Sequence, residues 1–207
     1  MIGCPIKLSD LMTETREQFI DAATAAFAEG GFYGTSIANI ADALPFTKQA
    51  LLHHFGSKEK LYGEVLKRIS NRLMKDIARV ADASLNPRDR FEQLSLHLYR
   101  SALEHSDDTQ LLMRELLDNR RRAGVARTWY LKPFLQQLTD LVLEIPGADF
   151  KTRDSALAFV DQLLGAINYF AVSESTLTRM LGKRAYWNLQ SGYEVELRRL
   201  ITDRLDA

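Results

Sequence analysis

Apolar residues recur at every third or fourth position along almost the whole chain, and this spacing predicts helices throughout. From Arg16 to Phe32, the residues Phe19, Ile20, Ala23, Phe27 and Phe32 form one stripe, and Gly30-Gly31 supplies a stop. A second, short helix starts after Ser36, with Ile37, Ile40, Ala41 and Leu44 at helical spacing and polar Asn39 and Asp42 between them. A third starts after Thr47, following Pro45 and Phe46. It turns Leu51 and Phe55 inward and leaves Lys48, Gln49, His53 and His54 elsewhere. Two helices of about two turns joined by a short turn make a helix-turn-helix, whose second helix enters the major groove of DNA. Gly56 ends that helix, and Ser57 caps a fourth whose first turn holds Lys58 and Lys60, a phosphate clamp.

Helix four is predicted from Lys58 to about Ala83 through Leu61, Val65, Ile69, Leu73 and Ile77, long enough to join two domains. Asn86-Pro87 is a cap followed by proline in the first turn, opening a helix to about His105 with Phe91, Leu94, Leu98 and Ala102 inward. Asp107 or Asp108 opens another to about Asn119. A seventh spans roughly Ala126 to Ile145, with Pro133 kinking or restarting it, and Pro146-Gly147 ends it. An eighth runs from Thr152 to about Val172 or beyond. Ser191 and Glu194 have the spacing of a capping box for a last helix to about Leu205. The fold class is therefore all-α. Residues 1–12 are expected to be an N-terminal arm, 13–62 the helix-turn-helix domain and 63–207 a larger helical domain.

The eighth helix is apolar around too much of its circumference to have one face in water, so it needs neighbours on two sides. Its own domain supplies one. A second copy of the chain supplies the other most simply, with Gly165 and Ala166 allowing close approach and Tyr193, Leu197, Leu200, Ile201 and Leu205 of the last helix joining in.

Charge adds a qualification. The 207 residues hold 27 Lys plus Arg and 27 Asp plus Glu, for a formal charge of zero. The first 69 residues hold seven basic and eight acidic side chains, which argues against strong non-specific DNA binding but not against specific reading. One cysteine, Cys4, cannot form an internal disulfide, and no apolar run near 18 residues or secretory signal is evident, so a cytoplasmic protein without a membrane partner is expected.

Catalytic chemistry finds no foothold. Consecutive His53 and His54 diverge by about 100° on a helix, and His97 and His105 lie about 12 Å apart along one, so neither pair suits a metal ion. No nucleophile elbow, phosphate-binding loop or nucleotide fingerprint is present. No catalytic residue, metal or cofactor is expected. Arg120, Arg121, Arg122 and Arg127 are the densest basic cluster. They read as a solvated turn balanced by Glu115 and Asp118, with an anionic ligand as the sharper option.

The order R-x-x-F-I-x-A-A-x-x-x-F-x-E-x-G-F, then T-S-I-x-x-I-A, then L-L-H-H-F-x-S-K-E-x-L resembles the tetracycline-repressor (TetR) family of bacterial transcription regulators over about 50 residues. The family usually has Gly-Val where this chain has Pro45-Phe46, and a proline cannot adopt the positive φ open to glycine, so the turn must be built differently. It usually has tyrosine at Leu52, where this chain keeps only an apolar contact such as one to a thymine methyl.

The resemblance implies a homodimer joined through the last two long helices, a double-stranded DNA operator and a ligand cavity among the middle helices. The expected DNA contacts are Lys48 and Gln49 to base edges, with Leu52 and His53 beside them, and Thr35 or Ser36, Thr47, His54 and Lys58 to phosphates. His97, Trp129, Asn168 and Tyr169 are candidate anchors for a mainly apolar effector. The function implied is a ligand-responsive regulator, a repressor released from a palindromic operator. The alternative is a helical homodimeric interaction protein that has lost specific DNA reading.

Overall fold

The computed structural model of the chain describes residues 8–80, 85–122 and 129–206. Ten helices occur among them, and no strand. They are α1 (Leu8–Gly34), α2 (Ile37–Asp42), α3 (Lys48–Phe55), α4 (Lys58–Val80), α5 (Pro87–Glu104), α6 (Ser106–Arg122), α7 (Lys132–Leu143), α8 (Arg153–Val172), α9 (Glu174–Leu181) and α10 (Lys183–Leu205). The all-α class is borne out.

The chain divides into two compact units. The first comprises residues 8–69 and 110–122, and the second residues 70–80, 85–109 and 129–206. The division falls at Ile69, past the expected boundary at residue 62, and most of α6 belongs with the first unit. In the first unit Phe19, Ile20, Ala23, Phe27, Ile40, Leu51, Leu61 and Val65 form a closed core. Tyr62 meets Phe27 edge-on at 4.9 Å between ring centroids and donates a hydrogen bond to Glu115 at 2.5 Å, tying α1, α4 and α6 together. In the second, α5, α7, α8 and α10 enclose Phe91, Leu94, Phe134, Leu138, Phe159, Leu163, Ile167 and Ile201.

Several helix starts follow from side chains within three residues. Ser36, Thr47, Asn86 and Thr152 each accept the backbone N–H three residues on, and Thr152 forms a full capping box with Ser155. Pro133 sits in the first turn of α7, so that helix starts there.

Other expectations are corrected. α1 begins at Leu8, taking in part of the presumed arm; Cys4 and the rest of residues 1–7 lie outside the described residues, as do the ends predicted near Ala83 and Ala126 and residue Arg127. No cap forms at Ser191. It lies inside α10, where its hydroxyl donates to the Trp187 carbonyl one turn back at 2.8 Å, a bond open to any helical serine. The actual break is at Gly182, whose φ of 84° separates α10 from α9, a helix the sequence reading missed. α8 is long and apolar enough by length and composition to cross a membrane, contrary to expectation. However, Ala156, Phe159, Val160, Leu163, Ile167 and Phe170 on it are buried in the core of its own unit.

Candidate nucleic-acid interface

The helix-turn-helix is built on α1. Gly31, at φ 68° and ψ 176°, stops the helical path, and the chain turns so that Thr35 comes back beneath α1. The Thr35 hydroxyl donates to the Ala26 carbonyl at 2.9 Å, and the side chain is buried. Thr35 is thereby corrected from a phosphate contact to an internal clamp, and of the Thr35 and Ser36 alternatives Ser36 is the exposed one. Gly30 is part of that clamp, since a Cβ there would lie 2.7 Å from Thr35 Oγ1. Gly30→Ala is expected to lower stability by about 1–2 kcal/mol in urea unfolding. In a Thr35→Ala background the penalty should vanish; an equal loss in both backgrounds would refute the clash.

The turn between α2 and α3 is closed without a left-handed residue. The positive-φ residues among those described are glycines, and none falls between Ala43 and Thr47. Leu44 donates its N–H to the Ala41 carbonyl, and the Phe46 ring packs on Phe19 with centroids 5.1 Å apart. An aromatic anchor thus sets the approach of α3 where the family uses Gly-Val. Across α3 the helical period sorts the side chains. Leu51 and Phe55 face the core, while Thr47, Lys48, Gln49 and His53 are exposed on the outside and Leu52 is half-buried. His54 is half-buried, its ring packed on Phe19 at 5.6 Å and 6.1 Å from that of exposed His53.

At the start of α4 the Ser57 hydroxyl accepts the Lys60 N–H at 3.2 Å. Lys58 Nζ stands over the Phe32 ring at 4.4 Å from its centroid, a cation–π contact that holds the ammonium at the helix N-terminus. The outer surface therefore joins hydrogen-bond donors on α3 to a cation at the start of α4, a pairing suited to base edges and phosphates.

The candidate effector anchors, all in the second unit, come out less uniformly. His97 Nε2 lies 2.9 Å from Oδ1 of buried Asp76, whose other oxygen is 3.4 Å from the Ser101 hydroxyl. Asn168 is half-buried. Trp129 and Tyr169 are 50% and 67% exposed, so neither is enclosed, which corrects their placement around an interior cavity. Sequence reading missed Asp76, although it falls on the inner stripe of α4 beside Ile77, one helical turn from Leu73, where a carboxylate asks for a partner. Among the described residues no cluster of three His, Cys, Asp or Glu could hold a metal ion.

Fold and surface together define a helix-turn-helix protein with a second, helical unit. The family model for bacterial regulatory proteins of the tetR family matches residues 19–65 of this chain. The resemblance drawn from the sequence is borne out there.

The chain is 29% identical over 99 residues to the HTH-type transcriptional repressor KstR2 of Mycobacterium tuberculosis, a match covering 48% of this chain and 49% of that one. To the HTH-type transcriptional repressor AcnR of Corynebacterium efficiens it is 26% identical over 98 residues, covering 45% and 52%. The chain thus spans about half the length of these curated relatives, which are named as regulators rather than enzymes. Solved structures match nearly end to end. A TetR-like transcriptional regulator from Rhodococcus sp. RHA1 superposes with TM-score 0.65 at 20% identity, covering 90% of this chain and 93% of that one. HlyIIR, a hemolysin II transcriptional regulator, superposes with TM-score 0.66 at 19% identity, covering 95% and 99%.

Proposed function

We propose that this chain is a ligand-responsive DNA-binding transcription regulator, a cytoplasmic homodimeric repressor released from a palindromic operator by a small molecule. The observation that carries the reading is the exposed α3 surface of Lys48, Gln49 and His53, held on a buried three-helix core within the matched residues 19–65. A gel-shift assay with the DNA upstream of its own gene, in excess non-specific competitor, tests it. A retarded band that survives competitor is expected. Its absence favours the interaction-protein alternative.

For the dimer, the support is a set of apolar side chains left open on the outer sides of the last three helices. Leu157 and Tyr169 of α8, Met180 and Leu181 of α9, and Trp187, Val195 and Leu200 of α10 are all exposed. A Cβ added at Gly165 or Gly192 would meet nothing within 4 Å, which leaves those surfaces open to close approach by a partner helix. Leu197, Ile201 and Leu205, expected at the dimer contact, are instead buried in their own unit.

For the switch, the support is that α4 is one unbroken helix whose beginning, at Lys58, belongs to the first unit and whose end, from Ser70 to Val80, belongs to the second. Near that end Ser70 donates to the Tyr130 carbonyl at 2.6 Å and Asp76 pairs with His97, so a ligand touching these groups acts on the helix that carries the phosphate clamp. Linkage then requires operator DNA to weaken ligand affinity by the same factor by which ligand weakens DNA affinity, about 5- to 150-fold. Calorimetric titration of the ligand with and without operator measures the factor; equal affinities would remove this mechanism.

A further inference from the structure

Three tyrosines and a phenylalanine from α5, α8 and α10 meet inside the second unit. Phe170 stacks on Tyr193 with centroids 3.8 Å apart and on Tyr186 at 6.0 Å, while Tyr99 lies 5.4 Å from Tyr193 and 6.0 Å from Phe170. The hydroxyls fare differently. Tyr193 donates to the Ala166 carbonyl at 2.8 Å, whereas the buried hydroxyl oxygens of Tyr99 and Tyr186 have no hydrogen-bond partner among the described residues. Both side chains are more than nine-tenths enclosed, at 3% and 5% exposure. Phenylalanine would pack the same rings without burying an unbonded polar atom, so two such hydroxyls in one cluster are a drain on stability unless something completes them.

We propose that the Tyr99 and Tyr186 hydroxyls form a two-donor site for a neutral oxygen acceptor, a carbonyl or ether oxygen, on an apolar effector. The proposal rests on the ligand-responsive reading above and names the chemistry of its ligand. Burial pushes the Tyr99 phenol up to about 12, helped by Tyr186, Tyr193 and Glu194, and burial with Glu174 raises Tyr186. Both groups therefore keep their protons near neutral pH and can donate. The same electrostatics select against an anion, because the nearby carboxylates Glu194 and Glu174 repel one and the adjacent Arg100 is bound to Glu194 at 2.5 Å.

The neutral naphthyl ketone Prodan, whose emission moves to the red when its carbonyl accepts a hydrogen bond, is a suitable probe. Titrated into the full chain, Tyr99→Phe and Tyr186→Phe, it is expected to bind the wild type with the redder emission and each variant about five- to tenfold more weakly. Without Prodan, the midpoint temperature of each variant should be unchanged or about 2–4 °C higher, because an unbonded hydroxyl has been removed.

Failure of Prodan to bind the wild type, or equal affinity for all three proteins, would overturn the proposal. So would lower midpoints in the variants, which would mean that an ordered water already satisfies the hydroxyls. The parent reading is judged separately by operator release. Prodan bound through the tyrosines without releasing DNA would sustain the site and defeat the switch; release with tyrosine-independent binding would do the reverse.

Discussion

Tyr169→Glu and Leu157→Glu should convert the protein to monomers in light scattering and lower operator affinity by at least about 100-fold, because two linked reading heads gain that much or more from binding together. Both side chains are exposed within their own chain, so the charge costs the single chain little. In a two-fold interface the same substitution appears twice, facing its own copy, and buries unpaired charge. Helical content and the midpoint temperature of the monomer should stay near those of an isolated wild-type chain. Ile167→Glu serves as the contrast. Ile167 is 1% exposed inside its own unit, and a carboxylate there should unfold that unit outright. An unchanged mass for both outer-face variants would place the dimer contact elsewhere.

The second large effect concerns the reading surface. Lys48→Ala and Gln49→Ala should change which operators are preferred, with losses of about 5- to 150-fold on the preferred sequence and little on others, the range for a single base-edge contact. Lys58→Ala should weaken all sequences alike and reduce the slope of log affinity against log salt by about one, since one phosphate neutralisation is lost. Phe32→Leu should act in the same direction as Lys58→Ala but more weakly, because it removes the ring on which the ammonium rests and leaves the charge. Thr35→Val should leave the salt slope untouched, as its hydroxyl is spent on Ala26. Fluorescence anisotropy on a small operator library at several salt concentrations separates these patterns. Uniform losses for Lys48→Ala and Gln49→Ala would defeat the assignment of base reading to the start of α3.

Where the sequence decided the outcome, the deciding interactions were local. Ser36, Thr47, Asn86 and Thr152 each satisfy a backbone N–H three residues away, so the helix starts they set depend on almost nothing beyond the tetrapeptide. The same holds for the apolar periodicity that makes the chain all-α and for the inward turn of Leu51 and Phe55, because a face is defined by 100° per residue. Only the tertiary structure decided what those faces meet. The return of Thr35 to Ala26 across nine residues took one side chain out of the DNA-facing set, and the packing of His54 on Phe19 half-buried another. The pairing of Asp76 with His97 across 21 residues gave a carboxylate its partner. At Ser191 the local pattern matched a cap, but a serine inside a helix can bond back one turn, and the interruption fell at Gly182, where α9 ends. The open apolar side of α8 and the two unbonded phenols depend on which surfaces the other helices cover. Covering is a matter of packing between separate helices, such as α5 with α10 and α7 with α8, and no spacing along the chain encodes it.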